Sequence, residues 1–290
     1  MFFSNAMLAL ETNSRYADAI ERVLYNGVLS GLSLDGKSFF YENPLEINLN
    51  DRFESRYGYR RFPRSQRLEC FGCSCCPPNI NRLLSSLGNY VYGFEGDTLF
   101  VNQFISSTLN SGDISCVQTT NYPNDGCIKL QAKGISKVAI RIPDWCDNFK
   151  INKPYEMMKG YAVISNDGGE ITVDLDIKPK AIFADARIRH DGNKVCVTRG
   201  PIVYCAEGVD NPELLHSYVL PSKIEAVEEF NSEFGLITLS VACRRRLPFE
   251  GGLYSGKQPE TESATLKLIP YNCFANRGRT DMMIWFCGSY

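Results

Sequence analysis

The feature that most constrains this chain is a change of hydrophobic period near Tyr92. Upstream, apolar residues recur at helical spacing; downstream, they alternate. A segment patterned for a period of 3.6 residues does not settle as a strand, nor one patterned for a period of 2 as a helix. A helical beginning and a long β-rich remainder are therefore expected. The length of 290 residues favours two or three modules.

In the helical part, Met7, Leu8 and Leu10 share one apolar segment. Tyr16, Ala17, Ile20, Val23 and Leu24 follow at helical spacing, with Asn26-Gly27 as the expected stop. The first 26 residues thus read as helix. Met1 leads straight into Phe2 and Phe3 with no capping residue, as expected of a boundary cut inside a helical region. From Val28 to Tyr41, two apolar runs flank Leu34-Asp35-Gly36-Lys37, a hairpin signal. Arg52, Arg56, Arg60, Arg61, Arg64 and Arg67 then crowd a polar, aromatic-rich loop. They suit either anion binding and stacking on sugars and aromatics, or a solvated loop with local ion pairs. Ile80, Leu83, Leu84, Leu87 and Val91 predict a helix over Pro77–Val91, with proline favoured in its first turn.

Beyond Tyr92, Ile171, Val173, Leu175 and Ile177 alternate with polar residues, and Val138, Ile140 and Ile142 alternate with Ala139 and Arg141. Both read as half-buried strands. Turn signals at Asn124-Asp125-Gly126, Asn166-Asp167-Gly168-Gly169 and Asp191-Gly192-Asn193 separate many short runs, the pattern of β-sandwiches. Further strands are expected within Lys194–Glu207, Leu236–Cys243, Thr265–Pro270 and Met282–Phe286, with a loop at Gly251–Ser263. No internal repeat or low-complexity tract interrupts the series.

Composition narrows the function classes. With 44% hydrophobic residues, 22% charged and a net charge of −2, the chain reads as a globular protein without a nucleic-acid partner. No apolar run approaches the roughly 20 residues of a membrane span, and the N-terminus lacks the basic and apolar regions of a signal peptide. No membrane association and a cytoplasmic location are expected.

Twelve cysteines remain to be explained. Cys116, Cys127, Cys196, Cys205, Cys243, Cys273 and Cys287 lie singly in apolar runs and read as small buried hydrophobes. Cys70, Cys73, Cys75 and Cys76 fall within seven residues, denser than packing asks. Thiolates ligate zinc and act as nucleophiles, and a helix N-terminus favours the thiolate. Cys75 and Cys76 stand just there. Adjacent cysteines hardly form an unstrained mutual disulfide, which points to metal ligation or catalysis; a redox pair and inert thiols are the alternatives. A local four-thiol zinc site lacks the usual second Cys-x-x-Cys knuckle. His190 and His216 lie far in sequence from any serine or cysteine elbow, so a Ser-His-Asp or Cys-His scheme has little support. Glu42, Glu46, Glu54 and Glu69, the carboxylates near the cluster, have no distinguishing context.

At Cys73-Ser-Cys-Cys-Pro-Pro-Asn-Ile-Asn-Arg-Leu-Leu the sequence resembles glycoside hydrolase family 127, the β-L-arabinofuranosidases. Arg15-Tyr-Ala-Asp-Ala-Ile-Glu-Arg-Val-Leu-Tyr-Asn-Gly, the Leu32–Leu45 segment, Arg199–Asn211 and Ile269–Gly278 resemble further family segments, in family order. The resemblance implies an α+β multidomain chain: the C-terminal helices of an (α/α)6 barrel over residues 1–91, a β-sandwich over 92–190, and a second β-sandwich region over 191–290 whose last strands could return to the first sandwich. It implies Cys75 as the nucleophile and, with Cys76, as a ligand of one Zn2+. Tyr41 is implied, by analogy, to line the sugar site. The family's Glu-x-Cys ligand pair and acid/base glutamate would lie upstream of Met1. Glu11-Thr12-Asn13 is not that motif, since Asn13 stands in place of the cysteine. The expected substrate is an arabinofuranoside-type carbohydrate, the expected partner the N-terminal barrel portion or a second copy, and the chain alone is expected to be inactive. A noncatalytic carbohydrate- or partner-binding sandwich is the competing expectation.

Overall fold

The computed structural model describes residues 1–50, 65–69 and 75–289. Of these, 1–25 and 75–178 form one compact unit; 26–50, 65–69 and 179–289 form another. Arg52, Arg56, Arg60, Arg61 and Arg64 of the arginine-rich segment, and Cys70 and Cys73, lie outside the described residues.

The expected single N-terminal helix is two helices, α1 (Phe2–Leu10) and α2 (Ser14–Val23). Glu11 turns extended, and extended Asn13 caps α2, its Oδ1 accepting the Arg15 N–H at 3.2 Å. Nor does Asn26-Gly27 end the helical path. Leu24–Val28 continues as a π-turn and Leu29–Gly31 as a 3₁₀ turn, while the Asn26 amide donates to Pro201 O and accepts from Val203 N, both at 2.8 Å. Asn26 is thus spent on tertiary contacts instead of a local stop. The Asp35-Gly36 turn forms, with Gly36 at φ +69°, Ser33 N donating to Ser38 O at 2.8 Å and one Leu32–Phe39 bridge. Because the preceding residues are helical, it is a bridged turn and not a full hairpin. The short strand β1 (Glu46–Ile47) follows.

The expected Pro77–Val91 helix starts one residue earlier and is split into α3 (Cys76–Ser85) and α4 (Gly88–Val91). Ser86 breaks it: its hydroxyl and its amide N–H both bond Leu83 O, at 3.0 and 3.1 Å.

In the first unit, β2 (Tyr92–Glu95), β3 (Thr98–Val101), β4 (Ser107–Ser111), β5 (Ile114–Thr120) and β6 (Cys127–Lys133) precede β7 (Lys137–Arg141), β8 (Phe149–Ile151), β9 (Glu156–Met158), β10 (Tyr161–Ser165) and β11 (Ile171–Leu175). They form two five-stranded sheets, ordered β2-β3-β7-β10-β9 and β4-β5-β6-β11-β8. Leu99, Val101, Val138, Ile140 and Ile164 from one sheet meet Ile128, Leu130, Ile171, Val173 and Leu175 from the other in a single core. This is the sandwich that the alternation predicted. One strand departs from the reading: β7 is buried on both faces, not half-buried, with Ala139 and Arg141 fully enclosed. Ala139 packs with Phe100 and Tyr161, and Arg141 meets carboxylates of α2, so neither residue faces water.

The second unit adds β12 (Pro179–Phe183), β13 (Lys194–Arg199), β14 (Ile202–Glu207), β15 (Tyr218–Pro221), β16 (Ala226–Asn231), β17 (Leu236–Arg246), β18 (Thr261–Pro270), β19 (Met282–Met283) and β20 (Phe286–Ser289). Their order is β1-β19-β14-β18-β17-β15-β20-β13-β12, with β16 on β17 and a further β13–β14 pairing that closes the ladder on itself. The expected loop lies a few residues earlier, at 247–260, because Thr261–Ser263 pair with Arg246–Arg244. The last strands do not return to the first sandwich: β19 pairs with β1 and β14, β20 with β13 and β15. Phe40, Ile47, Cys205, Ile269, Tyr271, Phe274 and Ile284 share this unit's core.

Candidate active site

Cys75 is the N-cap residue of α3 and Cys76 its first helical residue, so the backbone presents two consecutive thiols at one helix end. Cys75 is exposed, Cys76 half-buried, and their sulfurs are 3.8 Å apart. A disulfide requires about 2.05 Å, so the two are separate thiols. Two thiolates each about 2.3 Å from a tetrahedral zinc stand about 3.75 Å apart. The spacing and the donor type of the pair therefore fit zinc. The Asn79 amide donates to Cys75 O at 2.9 Å and fixes the turn below the thiols. Pro77 and Pro78 preset the first helical turn but remove two of its N–H groups, leaving fewer anion-facing donors than a helix end ordinarily carries. Among the described residues, no group of three or more Cys, His, Asp or Glu side chains stands ready to enclose a metal. Two sulfurs would fill two of the four positions of a tetrahedral zinc site.

The other cysteines differ in burial and in reactivity. Cys116, Cys196, Cys205 and Cys273 are buried as expected, but Cys127, Cys243 and Cys287 are only partly covered. Burial pushes the Cys116 and Cys243 thiols up to about 11, those of Cys196 and Cys273 up to about 12, and that of Cys205 well above the usual thiol range. At neutral pH these five are protonated and poor nucleophiles.

Tyr41 belongs to the second unit and is 38% exposed, directly after the core residue Phe40. In the same unit lies Arg67, the one described member of the six-arginine segment, which is buried and has no ion pair among the described residues. It is buried over the Phe40 ring, 4.5 Å from the centroid, and donates to Ser30 O at 2.8 Å and Phe274 O at 2.6 Å. Burial lowers its guanidinium to about 10. Arg67 is a packing element: it stacks on aromatic rings, as one of the expectations had it, and matches neither the anion site nor the solvated loop.

The strand reading missed the polar centre of the first unit. Arg141 Nη1 donates to Asp18 Oδ1 at 2.6 Å, Nη2 to Glu21 Oε1 at 2.5 Å, and Nε to Asn102 O at 2.7 Å. Glu21 also accepts from the Tyr122 hydroxyl at 2.6 Å and Trp145 Nε1 at 3.2 Å. Burial raises the Asp18 carboxyl above its ordinary range against the pull of Arg141; burial opposes the Arg141 charge, but Glu21 and Asp18 hold the guanidinium above its ordinary value. A signal was present in the sequence: Asp18 and Glu21 fall on the same face of α2 as Ala17 and Ile20, where an outward helix face would not put them.

Three family models match consecutive stretches: the GH127 catalytic domain of β-L-arabinofuranosidase over 1–89, the GH127 middle domain over 98–177 and the glycoside hydrolase family 127 C-terminal domain over 179–287. The chain is 34% identical, over a 311-residue alignment, to a non-reducing end β-L-arabinofuranosidase of Bifidobacterium longum subsp. longum, covering 98% of this chain and 47% of that protein. It superposes on the crystal structure of a GH127 β-L-arabinofuranosidase from Geobacillus stearothermophilus T6 with a TM-score of 0.88 at 33% identity, covering 99% of this chain and 48% of that one. A GH127 β-arabinofuranosidase structure gives 0.84 at 29% identity, with 99% and 48% covered. The chain thus spans about half the length of the relatives it matches, and with three models of one family in consecutive order along it, the chain belongs to glycoside hydrolase family 127.

Proposed function

We propose that this chain carries the nucleophile-bearing portion of a retaining, zinc-dependent glycoside hydrolase acting on β-L-arabinofuranosides. The single observation behind this reading is the Cys75–Cys76 pair, whose sulfurs stand 3.8 Å apart at the start of α3 within the stretch matching the GH127 catalytic domain. Bound zinc would supply positive charge that keeps both sulfurs as thiolates. Cys75, the exposed member, attacks the anomeric carbon: a C–S bond forms as the glycosidic C–O bond breaks, and the leaving oxygen takes a proton from a carboxylic acid. Water then displaces Cys75, its proton passing to that carboxylate; two inversions leave the configuration retained. Cys76 acts as the second thiolate ligand, and Tyr41 is proposed for the sugar-contacting surface.

The resemblance puts the acid/base glutamate and the Glu-x-Cys ligands in a portion of the family fold that precedes the matched stretch. We therefore expect the chain alone to be inactive and α1 to α4 to be the last helices of an (α/α) barrel. The α1 helix buries none of its residues, and Phe2, Phe3 and Leu10 are exposed, which suits a helical partner or a second copy. The chain's buried unbridged thiols, Cys116, Cys196, Cys205 and Cys273, suit a reducing, cytoplasmic setting. No described helix is long and apolar enough to cross a membrane.

The test is an assay on a chromogenic β-L-arabinofuranoside with added zinc, with and without a co-expressed polypeptide corresponding to the preceding half of a family relative. Turnover is expected only from the combination, and lost with Cys75→Ser. Turnover by the chain alone overturns the placing of the acid/base outside these residues, and zinc stoichiometry unchanged by Cys75→Ser with Cys76→Ser overturns the ligand assignment. The second reading, a noncatalytic carbohydrate- or partner-binding module, draws on the chain's half-length match. Sugar binding without turnover in any combination favours it.

A further inference from the structure

We infer that Cys75 and Cys76 form a capture site for trivalent organoarsenicals, independent of zinc and of glycosidase activity. Two thiols condense with an arsenoxide: the two S–H bonds and the arsenic–oxygen double bond break, two As–S bonds form, and one water leaves. Arsenic remains trivalent throughout, so no oxidant or reductant enters.

The geometry favours a bridging atom over a direct bond. The sulfurs are 3.8 Å apart, whereas a disulfide needs about 2.05 Å and would pull adjacent residues of one helical turn together. One soft atom bonded to both, at lengths like those of zinc thiolates, spans the observed gap with little movement. Access is open because Cys75 is exposed and Cys76 half-buried, while Cys116, Cys196, Cys205 and Cys273 are shut in the cores. The turn is already set by Pro77, Pro78 and the Asn79–Cys75 hydrogen bond, so little conformational freedom is lost when the second As–S bond closes.

The experiment uses phenylarsine oxide with the full chain in zinc-free buffer, read by intact-mass spectrometry. A Cys70→Ser/Cys73→Ser chain should still take up one phenylarsine with loss of one water. The adduct should resist excess 2-mercaptoethanol and yield to 2,3-dimercaptopropanol. Adding Cys75→Ser or Cys76→Ser to that chain should weaken retention at least about a hundredfold, the low end of the gain from two-point attachment. Loss of the adduct in the Cys70→Ser/Cys73→Ser chain, or its persistence after either further substitution, overturns the assignment. Because no zinc or sugar is present, the glycosidase reading can fail without affecting this result.

Discussion

Replacing Arg141 by methionine tests the polar centre of the first unit most directly. The substitution keeps much of the apolar stem but removes three charge-assisted hydrogen bonds to Asp18 and Glu21 and the bond to Asn102 O. Glu21 retains Tyr122 and Trp145 as donors, whereas Asp18 loses the only side-chain partner it has among the described residues. Breaking a buried ion pair on one side costs about 3–5 kcal/mol, a large share of a domain stability of about 5–15 kcal/mol. The loss should also depend on pH. The folded Asp18 carboxyl lies above its ordinary value, so the folded state holds that proton more readily than the unfolded chain. Its contribution is fully present below about pH 3.9 and is lost as pH rises through the folded value. Without Arg141 the folded value rises further, so the variant's deficit should be largest at pH 7 and smaller at pH 5. Urea unfolding followed by Trp145 fluorescence at both pH values reads the effect. A deficit below about 1 kcal/mol, or one equal at the two pH values, refutes the reasoning. Adding Asp18→Leu should recover part of the loss, since an apolar replacement leaves no unpaired charge at that position.

Three further outcomes follow from the packing. A Cβ on Gly126 would stand 1.9 Å from Leu175 O, so Gly126→Ala should cost about 2–3 kcal/mol, while Gly96→Ala, at φ +58° in open space, should cost only the backbone strain of about 1–2 kcal/mol; thermal melts compare them. Arg277→Met leaves the buried Glu207 without the guanidinium it meets at 2.6 Å and should destabilise the second unit by about 3–5 kcal/mol, seen as an earlier transition in denaturant. Asn79→Ala removes the hydrogen bond to Cys75 O at 2.9 Å, and should lower zinc retention severalfold in an equilibrium competition with a chromogenic chelator while leaving the melting temperature nearly unchanged.

Much of this protein was legible from local pattern. Ile171, Val173 and Leu175 declared a one-sided strand because the pleat sends alternate side chains to opposite faces, and the structure buries all three. Asp35-Gly36 marked a turn because glycine takes φ +69° cheaply, and Asn124-Asp125-Gly126 because the Asp125 carboxylate accepts the Cys127 N–H at 3.0 Å. Four cysteines in seven residues singled out the thiol pair, since packing alone seldom asks for such density. Helix continuity was not legible in the same way. The breaks at Asn13 and Ser86 came from polar side chains bonding nearby backbone, and the π-turn through Asn26 from an amide used by Pro201 and Val203, far away in sequence.

Tertiary structure alone settled which side of a strand is truly outside. Arg141 has the alternation of a surface residue, yet α2 lays Asp18 and Glu21 over it, and a charge can be buried only where opposite charge and hydrogen bonds replace water. Arg67 reads equally as stacked or as solvated, and the fold settles it by burying the guanidinium between aromatic rings and carbonyls. Sequence by itself determined the switch from helical to strand period, the turns and the cysteine cluster, because these depend on neighbours along the chain. The enclosure of Arg141 and the closure of the second sheet depend on residues brought together from distant positions, and only the folded chain could decide them.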